Sequence, residues 1–183
     1  MKYAIIVIDM LEDFFQEGRL REHRSNLVAH TNELTAFARQ HNIPVIWVRQ
    51  EFKADLSDAF LAMRKHHHLV TIENTKGCQI LKELHRESGD YEVIKKRYSA
   101  FFRTNLDMLL TKLNINALII CGVNTHACVR MAAIDAYQRD YEVILATDCI
   151  DSYDKEHHSV SLKYLTREIA SGKTNQEILR DSP

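Results

Sequence analysis

Four short stretches of this sequence are apolar almost without interruption: residues 3–8 (YAIIVI), 45–48 (VIWV), 116–121 (NALIIC) and 142–146 (EVILA). A strand with one wet face alternates apolar and polar residues, whereas a continuously apolar strand is buried on both faces. Helices on both sides of a parallel sheet provide that burial, and the sequence supplies them between the strands. Leu27, Leu34, Phe37 and Ala38 recur at helical spacing over 26–41, with Ser25 as a candidate N-cap. Further helices are expected over about 56–65, 78–85, 104–113, 126–139 and 155–167, and Thr104 with Asp107 resembles a capping box. YEVI at 91–94 reads as another strand, EIAS near 170 as a short last strand and NQEIL as a last helix. The alternation predicts an α/β fold, a doubly wound, mostly parallel sheet of five or six strands with helices on both faces.

Two prolines and five glycines leave no linker, and no repeat or low-complexity stretch interrupts the chain, so one domain is expected over 1–183. The formal net charge of −1, with no basic run interleaved with aromatics, argues against nucleic acid and against an anionic membrane surface. The first apolar run is broken by Asp9, which is too early for a membrane span or a secretory leader, and a cytoplasmic location is the expectation. Cys78, Cys121, Cys128 and Cys149 form no CxxC pair and read as free thiols.

In a parallel doubly wound sheet, ligands gather at the carboxyl ends of the strands. The residues there are Asp9, Arg49, Lys95 and the segment Gly122–Cys128. Free cysteines are often small core residues. Cys128, however, falls near the start of a helix that directly follows a strand, where unpaired N–H groups and the helix dipole lower a thiol pKa and can hold an oxyanion. Asp9 is placed to act as its base. A lysine from IKKRYSAFF would supply positive charge, and periodicity alone leaves Lys95 and Lys96 open.

AIIVIDMLEDFF, VIKKRYSAFFRTNLD and LIICGVNTHACVRMAAIDAY, in that order and spacing, resemble the three signature blocks of the isochorismatase-like cysteine hydrolases. That superfamily includes nicotinamidases, N-carbamoylsarcosine amidases, ureidoacrylate hydrolases and biuret hydrolases. The resemblance spans nearly the whole chain and implies a Rossmann-like three-layer sandwich. It places an Asp–Lys–Cys triad on Asp9, Lys95 and Cys128, the lysine lying six residues before Phe101. It also implies a cis peptide between Val123 and Asn124, with the N–H groups of Asn124 and Cys128 as the oxyanion hole, and a homo-oligomer whose subunits complete one another's pockets. Leu11 stands where the family often has glutamine and His126 where it often has an acid, which weakens any transfer of substrate. Nicotinamidases commonly bind a metal through histidines after the second strand; residues 48–60 hold none here, so no metal and no cofactor are expected. The run His66–His68 lacks the partners that would complete a tetrahedral site.

Phe14, Phe52, Tyr98 and Phe101 are candidate pocket walls, and Arg49 a candidate fork for a substrate carboxylate. The leading expectation is a cysteine hydrolase that cleaves a C–N bond in a small amide, carbamoyl or ureido compound through a covalent intermediate. A vinyl-ether hydrolase using Asp9 as general acid is one alternative. A non-catalytic α/β domain that binds a small molecule or a partner is another.

Overall fold

The computed structural model describes residues 1–181, so the last two residues of the expected domain lie outside the described part. Six strands form one parallel sheet: β1 (Tyr3–Ile8), β2 (Val45–Gln50), β3 (Tyr91–Lys95), β4 (Ala117–Val123), β5 (Glu142–Asp151) and β6 (Ser171–Lys173). Their order is β3-β2-β1-β4-β5-β6, which reverses direction between β1 and β4. The helices are α1 (Gly18–Gln40), α2 (Leu61–His66), α3 (Leu106–Lys112), α4 (Arg130–Tyr137), α5 (Lys155–Glu168) and α6 (Asn175–Asp181). They cover both faces of the sheet, with α1 packed against α6 and α4 against α5. The central strands β1 and β4 are almost wholly buried, as their continuous apolar sequence requires. No helix among the described residues is long and apolar enough to cross a membrane.

Several boundaries differ from the sequence expectation, each for a local reason. Helix α1 starts at Gly18, not near Ser25, which lies inside it. Its added first turns are polar, and ion pairs hold them: Arg19 and His23 to Asp151, Arg24 to Glu12 and Glu83. Leu56 has a positive φ of 58° and Phe60 is extended, so the helix expected from 56 begins only at Leu61. Residues 78–85 form no helix, because Leu11 bridges Ile80 and the Leu81 N–H donates to Met10 O. Thr104 accepts from the Leu106 N–H at 3.2 Å, but Asp107 turns to Arg139 rather than closing a capping box. The last strand begins at Ser171, since α5 runs on through Glu168.

The close approach of β4 to β1 depends on Gly122. Its φ is +110°, and a Cβ there would lie 2.0 Å from Ile8 O. The register of β4 against β5 also shifts between Ile120 and Gly122, so the ends of three strands are re-aimed around this residue. Gly122→Ala combines a disfavoured φ with a backbone clash. It is expected to cost about 3 kcal/mol or more, which in a chain of this length lowers Tm by roughly 6–12 °C, read by thermal denaturation.

Candidate active site

Asp9 is the residue after β1 and takes a left-handed backbone conformation, φ 52°. Its N–H donates to Val48 O at 2.8 Å, and its Oδ1 accepts the Gln50 N–H at 2.7 Å. The end of β2 therefore fixes both its backbone and one carboxylate oxygen. The other oxygen, Oδ2, lies 2.7 Å from Lys95 Nζ.

Lys95 ends β3, an edge strand whose inward residues are Val93 and Lys95. Its ammonium donates to Arg97 O at 3.1 Å and to Cys128 Sγ at 3.4 Å. Lys96 faces the other way and pairs with Asp58 at 2.9 Å. Asp9 and Lys95 are both 0% exposed. Burial disfavours the charged ammonium, but the charges of Asp9 and Cys128 outweigh it and hold the Lys95 pKa above the usual lysine range.

Cys128 lies in a π-helical turn, Thr125–Val129, rather than in the α-helix expected from about 126. Such turns are rare and occur often at functional sites. The preceding Val123–Asn124 peptide is cis. The Asn124 carbonyl accepts the N–H groups of Ala127 and Val129, which folds the turn back on itself. The turn is tied to α5 where Thr125 Oγ1 meets His158 Nδ1 at 2.9 Å. The thiol is not acidified as its place at a helix start suggested. Burial pushes it up to about 12, the Lys95 charge opposes that shift, and the Asp9 charge adds to it.

A cavity of about 670 Å³ opens above this turn, within the range for small-molecule sites. Cys128 and Asn124 are on its wall, while Asp9 and Lys95 lie behind the thiol. Of the expected wall residues, Phe14 and Tyr98 line it. Phe52 does not: it is fully buried and packs edge-on behind Phe60, which lines the cavity in its place. Phe101 does not either, because it is packed near Tyr141 under the Arg139 guanidinium. Arg49 is directed into a separate cavity of about 380 Å³, where Glu51 and Glu92 pair with it, so it cannot fork a carboxylate beside Cys128. Sequence reasoning missed Gln50, Met63, His126 and Tyr153 on the wall. The place of His126, two residues before Cys128, was the available signal. Burial lowers the His126 pKa, and His157 adds to that. Among the described residues, no group of three or more His, Cys, Asp or Glu side chains is arranged to hold a metal.

The Isochorismatase domain model matches residues 3–175. The chain belongs to the isochorismatase family. It is 33% identical to a probable inactive nicotinamidase of Arabidopsis thaliana over 168 residues, 87% of this chain and 85% of that protein. It is 30% identical to the uncharacterized isochorismatase family protein YaaI of Bacillus subtilis, over 95% of this chain and 94% of the relative. Among solved structures it resembles the N-carbamoylsarcosine amidase of Thermoplasma acidophilum with a TM-score of 0.83 and 28% identity, covering 97% and 99% of the two chains. Members of this superfamily are hydrolases, and this chain is one of them.

Two outcomes follow from the buried charges. In Lys95→Met the Asp9 carboxylate keeps its burial and loses its counter-charge, which should cost about 3–5 kcal/mol in urea denaturation. Adding Asp9→Asn should recover part of that loss. Separately, with the thiol raised to about 12, the thiolate fraction climbs tenfold per pH unit well beyond neutrality. Iodoacetamide alkylation of Cys128, followed by peptide mapping, should keep accelerating from pH 7 to 10. A plateau near the ordinary cysteine value of about 8.5 would contradict this.

Proposed function

We propose that this family member is a cysteine hydrolase that cleaves the C–N bond of a small amide, carbamoyl or ureido compound. The observation that carries this reading is the contact chain Asp9–Lys95–Cys128, with Lys95 Nζ at 2.7 Å from the carboxylate and 3.4 Å from the sulfur, ending on the wall of an open cavity. Cys128 rests as a neutral thiol. Asp9 takes its proton as the sulfur attacks the carbonyl carbon, and the Lys95 ammonium stabilises the thiolate as it forms. The C=O π pair moves to oxygen, and the N–H groups of Asn124 and Cys128 receive that oxyanion. Collapse breaks the C–N bond, Asp9 returns the proton to the leaving nitrogen, and an acyl-thioester remains. Asp9 then draws a proton from water, which attacks the thioester and releases the acid and the thiol. Every step passes one proton through one carboxylate, so Lys95 keeps its own throughout.

The arrangement supports the thiol reading over vinyl-ether chemistry, because a general acid alone needs no ammonium against a sulfur. A cytoplasmic homo-oligomer of single-domain subunits fits the same reading.

Purified protein assayed for ammonia release on a panel of amides and ureides tests it. Cys128→Ala should abolish turnover. Asp9→Asn and Lys95→Met should each lower kcat by about a thousandfold or more, and combining them should cost little further, since groups that act as a unit are strongly non-additive. Lys96→Ala should retain most activity. Undiminished turnover in Cys128→Ala would sink the proposal.

A further inference from the structure

The electrostatics of the cavity narrow the substrate class, on the reading that Cys128 is the nucleophile. Among the described residues, no lysine or arginine lines the cavity. Several cations on the surrounding elements are engaged elsewhere, and Arg64 and Lys65 are exposed on α2 without lining the cavity. Arg49 pairs with Glu51 and Glu92, Arg19 with Asp151 and Lys96 with Asp58. The Arg97 guanidinium donates to Asp58 O and stacks over Phe60 at 5.0 Å. Arg130 stands in the groove outside, over the Tyr164 ring at 5.2 Å. The Lys95 ammonium is compensated by Asp9 behind the thiol.

The ionisable side chains that do line the cavity are the acids Asp13 and Glu17 and the histidines His68 and His126. Asp13 accepts the Thr71 N–H at 2.6 Å, and its carboxylate fills the space that a side chain at position 77 would take: a Cβ on Gly77 would lie 2.2 Å from it. Glu17 stands at the rim with no capping bond to α1. The remaining surface is largely apolar, from Phe14, Leu20, Phe60, Met63, Tyr98 and Tyr153. A carboxylate in this cavity would be desolvated against two like charges with no arginine to fork it. An uncharged or ammonium-bearing group meets no such penalty.

We propose that the cavity accepts neutral or cationic acyl groups and rejects those that carry a carboxylate. The substrate class is then a carboxamide or carbamoyl compound on an uncharged or amine-bearing, largely apolar frame.

Charged and neutral thiol reagents measure this without needing turnover. Methyl, 2-(trimethylammonio)ethyl and 2-sulfonatoethyl methanethiosulfonate each form a disulfide as the thiolate displaces methanesulfinate. Their rates at Cys128, mapped by peptide and divided by their rates with glutathione, are compared at pH 8.5, above the usual titration range of histidine. The anionic reagent should be about tenfold or more slower than the neutral one after this correction, and the cationic reagent at least as fast as the neutral one. Glu17→Lys, an exposed change that spares the fold, should narrow the gap severalfold. An anionic rate equal to or above the neutral rate overturns the proposal. So does a gap that Glu17→Lys leaves untouched, and so does failure of all three reagents to reach Cys128, because the proposal requires the thiol to face an open cavity. Ammonia release from benzamide, 4-(aminomethyl)benzamide and 4-carboxybenzamide gives a parallel reading, in which preference for the carboxylate also overturns it. Absence of turnover on all three counts against amide hydrolysis, while the reagent order still decides the charge question.

Discussion

The ion pair between Asp9 and Lys95 is the constraint around which the site is arranged. Two opposite charges are fully removed from water at the ends of two strands that are not neighbours, since β2 lies between them. Desolvation makes such a pair costly unless its geometry is fixed and its remaining atoms are satisfied. Here β2 supplies the fixing: Val48 O and the Gln50 N–H hold Asp9 on one side, and the Glu51 N–H donates to Lys95 O on the other. Lys95 uses the rest of its donor capacity on Arg97 O and on Cys128 Sγ. The parallel register of β1, β2 and β3 thus sets the chemistry, because slipping any of these strands by one residue would turn a charged side chain to the opposite face.

The sulfur reaches this pair by a different device. Strand β4 passes so close to β1 at Gly122 that no side chain fits, and the chain then tightens into the π-helical turn. Thr125 at the start of that turn is bonded to His158. His158 in turn lies 3.7 Å from the buried Asp151, which also holds Arg19 and His23 from α1. The turn that carries Cys128 is therefore held by the close β1–β4 contact before it and by α1 and α5 through Asp151 and His158. The first turns of α1, where Leu20 alone joins the core, contribute to this support through Arg19 and His23.

The sheet and the meeting of Asp9, Lys95 and Cys128 were largely legible in the sequence, for different reasons. Buried parallel strands must be continuously apolar, so YAIIVI, VIWV and NALIIC announce themselves. Asp9 stands out as a charged residue directly after such a strand, and Cys128 as a cysteine in the turn that follows another. Lys95 was separable from Lys96 by resemblance alone, yet a local signal existed. On an edge strand with one buried face, Val93 and Lys95 share parity, and Val93 is the buried one. The first turns of α1 were hard to read because ion pairs with distant residues stabilise them and Leu20 is their one apolar core residue. Phe52, Phe101 and Arg49 were misplaced for a related reason. An aromatic beside a site and an aromatic behind one look alike in sequence, and the carboxylates that claim Arg49 lie two residues away and on the next strand.

The same distinction explains where specificity is built. Cys128 and the Asp9–Lys95 pair rest on strand ends and the turn after β4, whereas much of the cavity wall comes from the segment between β2 and β3, which contains one short helix. That segment has its own small core of Phe52, Leu56, Ala59 and Met63, separate from the main one. Bonds tie it to the chain after β1, where Leu11 bridges Ile80, the Asp13 N–H donates to Gly77 O and Asp13 accepts the Thr71 N–H, and to α1, where Arg24 pairs with Glu83 and Arg39 with Asp90. A wall with an independent core can change its lining without disturbing the register that positions Asp9 and Lys95. The attachment through Asp13 limits this freedom, because the same carboxylate that ties the segment down also sets the charge of the cavity it encloses. Substitution there would alter anchoring and charge together, whereas Glu17 at the rim carries charge alone.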